Sequence, residues 1–129
     1  MAVFMKPYAP QTYALLRIIT GAMFILHGTQ KLVNWPGSPP AEAPAFILYT
    51  AGPIEVIGGA LVMIGLRTRW AAFICSGTMA FAYWLAHGTK HLLPILNRGE
   101  LAVIYCFVFL YIAANGSGIW SVDGARGEN

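Results

Sequence analysis

Four long apolar segments follow one another along the chain, separated by short polar stretches. A membrane-spanning helix needs about 20 mostly apolar residues, because each residue advances roughly 1.5 Å across a hydrocarbon core of about 30 Å. All four segments approach this length, although the third and fourth are short for a full span. The pattern predicts an all-α fold, an integral membrane four-helix bundle in which residues 1–129 form a single domain with helices at about 12–33, 46–66, 70–87 and 99–114.

The polar stretches predict how these helices are connected. Residues 34–45 include four prolines, which predict a loop at the membrane surface instead of a continuous helix. Only Arg67, Thr68 and Arg69 separate the second and third segments, so these two helices are predicted to form an antiparallel hairpin. The two arginines favour the cytoplasmic side for this turn, and both chain termini are then predicted to be cytoplasmic as well.

The two ends of the chain are predicted to differ. The first apolar segment lacks the order of a secretory signal peptide, which is a basic stretch, a short apolar core and a small-residue cleavage site. It is therefore predicted to be a retained helix. The tail from Ser121 onward is polar and contains glycine, so it is predicted to be frayed.

Composition supports a membrane class and limits the chemistry. Hydrophobic residues make up 57% of the chain and charged residues 10%, and the mean hydropathy of +0.61 is well above that of a soluble domain. The net charge of +3 is scattered over helix ends and loops, which favours contact with anionic lipid headgroups over nucleic acid. Cys75 and Cys106 stand alone in apolar segments, so neither a zinc site nor a thioredoxin-type motif is predicted.

Ionisable residues inside the apolar segments are the strongest candidates for function, because a charge in hydrocarbon is costly unless it is paired or hydrated. Arg17, His27 and Lys31 recur at helical spacing on one face of the first segment. Glu55 lies near the middle of the second segment, where nearby glycines predict the close approach of another helix. We expect these side chains to face the interior of the bundle.

The third and fourth segments add polar and aromatic residues near one end of the bundle. Tyr83, Trp84 and His87 lie near the outer end of the third segment, and the fourth begins with Asn97 as a helix cap and Glu100 at the positive end of the helix dipole. Together these positions predict a polar chamber that opens toward the outer side. The predicted ligand-binding residues are His27, Lys31, Glu55, Tyr83, Trp84, His87 and Glu100, with Arg17 and Asn97 as structural polar residues.

Several of these residues also have a plainer interpretation. Arg17 lies near the inner boundary, where snorkelling to the headgroups is favoured over an internal pair. Lys31 and Glu100 fit equally well as interfacial residues at helix ends. Glu55 is too deep to snorkel, so it is predicted either to be ionised against Arg17 or His27 or to be held neutral by desolvation.

Three stretches of the sequence each contain distinctive short motifs. Residues 21–32 contain His-Gly followed by lysine, residues 52–69 contain Glu-x-x-Gly-Gly and Gly-Leu-x-Thr-Arg, and residues 97–124 contain Asn-x-Gly-Glu, Gly-x-Gly and Ser-x-Asp. In this combination the chain resembles the DoxX family of small four-helix membrane proteins. The resemblance implies a bacterial inner-membrane protein. The family takes its name from a membrane subunit of a quinone-linked sulfur-oxidising complex. Its polar motif positions fall here on Arg17, His27, Lys31, Glu55, Asn97 and Glu100.

The resemblance favours a role in redox or quinone-linked metabolism. The chamber is then predicted to bind a quinone-like molecule, whose ring would pack on Tyr83 and Trp84 while its oxygens accept hydrogen bonds. Haem between His27 and His87 is a less favoured cofactor, because two histidines in a bundle are an unspecific pattern, and no metal site is predicted.

The sequence is compatible with three roles for the protein. A subunit or accessory of a membrane oxidoreductase is favoured over an independent enzyme, because the sequence contains no metal-ligand cluster, nucleophile–base pair or cofactor fingerprint. The predicted partners are the lipid bilayer and a redox protein or a second copy of the chain. A small-solute transporter and a purely structural subunit are the alternatives.

Overall fold

The chain folds into helices throughout the part that its structure describes. The computed structural model describes residues 3–39 and 43–129, and within those ranges it contains no strand. The helices are α1 (Ala9–Val33), α2 (Ala45–Ile64), α3 (Thr68–Tyr83), α4 (Pro94–Asn97), α5 (Glu100–Asn115) and α6 (Val122–Arg126), with a 3-10 turn at Lys6–Tyr8 and a π-helical turn at Trp84–Gly88. The predicted all-α class is confirmed, and α1, α2, α3 and α5 overlap the four predicted segments, with ends that differ by up to four residues. The predicted loop at 34–45 falls partly outside the described residues.

Prolines and left-handed residues mark the ends of the first two long helices. Pro10 lies in the first turn of α1, where its missing N–H removes no helical hydrogen bond, and Pro44 precedes α2. The residue after α1 is Asn34 with φ 54°, and the residue after α2 is Gly65 with φ 72°, a conformation that ends a helix. Only residues 65–67 remain between α2 and α3, so the predicted tight hairpin is present.

Glycines bring α1 and α2 into backbone contact. A Cβ atom on Gly21 would lie 2.6 Å from the carbonyl oxygen of Gly59, and one on Gly28 would lie 2.7 Å from the carbonyl oxygen of Gly52. On each helix the two glycines are about two turns apart, so they lie on one face. The pairing runs in opposite directions along the two helices, which are therefore antiparallel. Because larger side chains do not fit at these contacts, the four glycines fix the register of α1 against α2.

The main apolar core lies between α3 and α5 and the inward faces of α1 and α2. The hydroxyl of Ser76 on α3 donates a hydrogen bond of 2.7 Å to the carbonyl oxygen of Cys106 on α5. Phe24 links α1 to α5, with its ring centroid 4.7 Å from that of Phe109. The buried core residues are Phe24, Val62, Ala71, Ala72, Cys75, Met79, Tyr105, Phe109 and Ile112.

Large apolar side chains cover the outside of the four long helices. The stretch Lys6–Val33 and helix α2 are long and apolar enough to cross a membrane, and α5 is a shorter apolar helix. In each of these two stretches only 28% of an apolar 18-residue portion is buried. Neither is therefore the enclosed core helix of a soluble protein. An exposed apolar surface of this extent suits a lipid environment. It is represented by Ile19 on α1, Ile57 on α2, Phe73 on α3 and Phe107 on α5.

The C-terminal segment is a docked helix, and the prediction of a frayed tail is wrong. Ser121 caps α6, because its hydroxyl accepts a hydrogen bond of 3.0 Å from the N–H of Gly124. The N–H of Asp123 donates to the carbonyl oxygen of Gly65 at 2.8 Å, and the Asp123 residue is buried. The tail therefore packs against the turn between α2 and α3. Its polar composition reflects these hydrogen bonds instead of disorder.

Candidate functional site

A buried ion pair joins α1 to α2. The Nζ atom of Lys31 lies 3.0 Å from Oε1 and 2.8 Å from Oε2 of Glu55, so the ammonium group binds both carboxylate oxygens. The side chain of Glu55 is 2% exposed and that of Lys31 is 18% exposed, so the pair reaches the outside only through the lysine. Both residues were predicted, but the expectation that Arg17 or His27 pairs with Glu55 is wrong.

Helix geometry explains how a residue near the end of α1 reaches one near the middle of α2. With Gly28 opposite Gly52, the Cα atom of Lys31 lies about 9 Å farther along the bundle axis than that of Glu55. The Cα–Cβ bonds of a helix tilt toward its own N-terminus, so in this antiparallel pair the two side chains lean toward each other. The long lysine stem covers the remaining distance.

His27 and Tyr105 extend the pair toward α5. His27 lies one turn before Lys31 on α1, and its ring packs edge-on against the ring of Tyr105 with centroids 5.7 Å apart. Tyr105 is 6% exposed, and its hydroxyl has no hydrogen-bond partner within residues 3–39 and 43–129. Tyr105 was not among the predicted site residues, because a tyrosine in an aromatic-rich apolar segment is typical of core packing. The only available signal was its hydroxyl at a buried helical position.

Other predicted site residues form a second cluster after α3. The Nδ2 atom of Asn97 donates to the hydroxyl of Tyr83 at 2.9 Å, and its Oδ1 atom accepts from the N–H of Gly99 at 2.8 Å. The Nδ1 atom of His87 lies 2.9 Å from the carbonyl oxygen of Asn97. Asn97 therefore ties the loop before α5 to the end of α3. It is not the N-cap of α5, as was predicted, because that position is Gly99.

The last two predicted ligand-binding residues lie on the surface. Trp84 is 58% exposed and touches Tyr83 edge-on, with centroids 5.3 Å apart, and Glu100 is also exposed. In the described part of the chain, no hydrogen bond or ring contact joins the second cluster to the ion pair. The seven residues predicted to line one chamber are thus divided between two clusters and the surface.

Arg17 is completely buried, so its interpretation as a snorkelling residue is wrong. Its guanidinium group donates to the carbonyl oxygens of Val62 and Met63 at 2.8 and 2.7 Å, and to those of Ile119 and Trp120 at 3.2 and 2.7 Å. The first two belong to the last turn of α2, whose carbonyl oxygens find no N–H donor within the helix; that of Val62 also accepts from the N–H of Gly65. Arg17 thereby holds α1, α2 and the C-terminal segment together.

Asp123 supplies the cap that α3 lacks in its own sequence. Its Oδ1 atom accepts from the N–H of Arg67 at 2.8 Å, and its Oδ2 atom accepts from the N–H and the hydroxyl of Thr68 at 2.9 and 2.8 Å. Burial alone would raise the pKa of this carboxyl group, but the hydrogen bonds from Thr68 and Arg67 and the charge of Arg126 outweigh it and lower the pKa. Asp123 is therefore a charged N-cap donated by the far end of the chain.

Comparison with known proteins identifies the family. The DoxX family model matches residues 12–88, which is more than half of the chain. The chain belongs to the DoxX family. A Haemophilus influenzae protein named "Uncharacterized protein" is 43% identical over 125 residues, covering 92% of this chain and 93% of its own. The Bacillus subtilis protein "Putative oxidoreductase CatD" is 30% identical over 113 residues, covering 84% of this chain and 82% of its own. No solved structure matches this DoxX chain.

The DoxX match includes some of the contacts described above and ends before others. Arg17, Lys31 and Glu55 lie within the matched residues, whereas Tyr105 and Asp123 lie beyond them. DoxX proteins are membrane proteins, in agreement with the two apolar stretches that are long enough to cross a bilayer. This chain is therefore a DoxX membrane protein with a buried ion pair between its first two helices.

Proposed function

We propose that this DoxX protein serves redox metabolism in the bacterial cytoplasmic membrane by binding a quinone-like molecule beside the Lys31–Glu55 pair. In this role it acts as a membrane subunit or accessory of an oxidoreductase. The redox assignment is supported by the Bacillus subtilis relative, which is named "Putative oxidoreductase CatD". The site assignment is supported by the geometry of the ion pair.

The main observation behind this proposal is that two opposite charges lie inside an apolar helix pair. Desolvating two charges costs about as much as their attraction returns, so a buried ion pair adds little net stability. The close contact of α1 and α2 is already provided by their facing glycines. The pair is therefore not needed to hold these helices together, which favours a role in binding.

The surroundings of the pair suit the ring of a quinone. The His27 ring offers an N–H donor, and the ring of Tyr105, which packs on Phe24, lies edge-on against it as apolar surface. A quinone has two carbonyl oxygens that accept hydrogen bonds and a flat face that packs on apolar surface, which is the mixture that such sites provide. The partial exposure of Lys31 gives the site a side open to the outer end of the bundle.

The proposal includes four membrane spans with both termini in the cytoplasm. Helix α3 and the π-helical turn continue from Thr68 to Gly88, a length of about 30 Å along the helix axis. Helix α5 exposes apolar side chains such as Leu101 and Phe107. Reporter fusions at each terminus test this arrangement. Cytoplasmic activity is expected from both fusions, and activity from only one would exclude an even number of spans.

Ligand binding is tested by thermal unfolding of the purified protein in detergent. A molecule that binds only the folded state raises the melting temperature with its concentration, so decylubiquinone and menadione are expected to stabilise the wild type. The variant with both Lys31→Met and Glu55→Leu is expected to lose this stabilisation. Glu100→Gln, an exposed carboxylate, is the matched control and is expected to keep it.

Two outcomes would contradict the proposal. The first is a wild-type melting temperature that does not change with either quinone. The second is an equal shift in the wild type and the double variant, which would place the ligand elsewhere. In either case a structural role for the ion pair would replace the binding role.

A further inference from the structure

Tyr105 has a buried hydroxyl group that finds no hydrogen-bond partner in the part of the chain that the structure describes. Its ring lies between Phe24, His27 and Phe109, at centroid distances of 5.4, 5.7 and 5.9 Å. Its hydroxyl is buried and makes no hydrogen bond with any residue in the two described ranges. Tyr105 is therefore almost fully enclosed, with its one polar atom unpaired.

An unpaired hydroxyl in this position costs stability. A buried donor or acceptor without a partner has lost its hydrogen bonds to water and gained none in return, whereas a phenylalanine would carry the same ring without this cost. Phenylalanine is well accommodated here, because Phe24 and Phe109 are two of the three rings that surround Tyr105. Packing therefore gives no reason for the hydroxyl, and a partner from outside the chain does.

We propose that Tyr105 is a ligand-recognition residue, whose hydroxyl hydrogen-bonds to a carbonyl or hydroxyl oxygen of the molecule bound beside His27 and the Lys31–Glu55 pair. This inference rests on the proposed function, and it narrows the class of ligand. Lys31 and Glu55 neutralise each other, and a tyrosine hydroxyl brings no charge. The site therefore has no net charge to offer an ionic solute, and it selects a neutral molecule with oxygen atoms on an otherwise apolar ring.

The position of the Tyr105 ring supports this assignment. Tyr105 contacts His27 edge-on, and His27 is one turn from Lys31, so the phenol adjoins the side of the ion pair that faces α5. Glu55 reaches the same region through its ion pair with Lys31. Groups from three helices, α1, α2 and α5, thus converge on one region, as expected for a binding site inside a helix bundle.

The test is Tyr105→Phe, measured with and without decylubiquinone. Without the quinone, the melting temperature is expected to stay unchanged or to rise, because the variant removes only an unpaired polar atom. With the quinone, the Kd from the concentration dependence of the melting temperature is expected to rise about tenfold, the equivalent of one lost hydrogen bond.

Tyr13→Phe is the matched control. The Tyr13 hydroxyl donates a hydrogen bond of 2.6 Å to the carbonyl oxygen of Gly116, so its loss is expected to lower the melting temperature without changing the Kd for the quinone. An unchanged Kd in Tyr105→Phe would overturn the inference while leaving quinone binding intact. A fall in its ligand-free melting temperature as large as that of Tyr13→Phe would overturn it as well, since the hydroxyl would then have a partner inside the protein. The absence of any shift in the wild type would instead reject the proposed function itself.

Discussion

Replacing both members of the Lys31–Glu55 pair with apolar side chains is expected to disturb folding less than replacing Lys31 alone. The reason is that an ion pair inside an apolar region gains little net stability, while a single charge left there is strongly unfavourable. Three variants separate these effects: Lys31→Met, Glu55→Leu and the two changes combined. Each keeps a side chain of similar volume, so packing changes are small.

The exposure of the two side chains ranks the single variants. Glu55 is 2% exposed, so Lys31→Met leaves an enclosed carboxylate without a partner and is expected to cost about 3–5 kcal/mol. Lys31 is 18% exposed and lies at the end of α1, so after Glu55→Leu its long stem carries the ammonium group toward the headgroups. That variant is expected to cost less, about 1–3 kcal/mol. The double variant is expected to lie within about 1 kcal/mol of the wild type.

The assay is equilibrium unfolding of the purified variants in one detergent, with the free energy of unfolding compared in a double-mutant cycle. The coupling between the two positions is expected to be as large as the cost of Glu55→Leu or larger. A Glu55→Leu variant that is less stable than Lys31→Met would refute the argument from exposure. A double variant that loses the sum of the two single costs would show that the residues do not interact.

Three further predictions concern the packing and the C-terminal segment. Gly21→Ala is expected to cost about 1–3 kcal/mol in the same assay, because its Cβ atom would meet the backbone of α2, whereas Gly77→Ala, where a Cβ atom meets open space, is expected to be neutral or stabilising. Arg17→Lys is expected to cost about 2–4 kcal/mol, because an ammonium group cannot serve the four carbonyls that the guanidinium group binds. Asp123→Asn is expected to cost about 1–3 kcal/mol at pH 7. Since the folded-state pKa of Asp123 is lowered, this cost is constant above the ordinary aspartate pKa of about 4 and shrinks as the pH falls below it, which unfolding at pH 7 and pH 3 measures.

The long helices and the ion-paired residues were predictable because residue type alone carries their signals. Apolar runs and prolines predicted the four long helices, and ionisable residues at apolar positions predicted Lys31 and Glu55. The pairing of these two was also within reach. Glycines seven residues apart occur on both helices, and matching Gly28 with Gly52 brings the lysine and the carboxylate together. The prediction rested on the glycines of the second segment alone, and these do not define the register of the two helices.

The contacts of Arg17 and Asp123 could not be predicted in the same way. Arg17 binds four carbonyl oxygens, and Asp123 binds two backbone N–H groups and one hydroxyl. Backbone groups are present at every residue, so the sequence does not indicate which of them lie nearby. Tyr105 was missed for a different reason, because its lack of a partner is a property of the folded chain and not of any sequence pattern.

The hydrogen bonds of Arg17 have a consequence for the biogenesis of the protein. Arg17 lies on α1, yet two of its four acceptors belong to Ile119 and Trp120, which are synthesised after all four long helices. The glycine contact between α1 and α2 can form early, but the guanidinium group lacks two of its four acceptors until Ile119 and Trp120 have been synthesised. The α1–α2 hairpin can therefore assemble before the C-terminal segment docks. Docking of that segment supplies the last hydrogen bonds of Arg17 and completes the fold of the membrane protein.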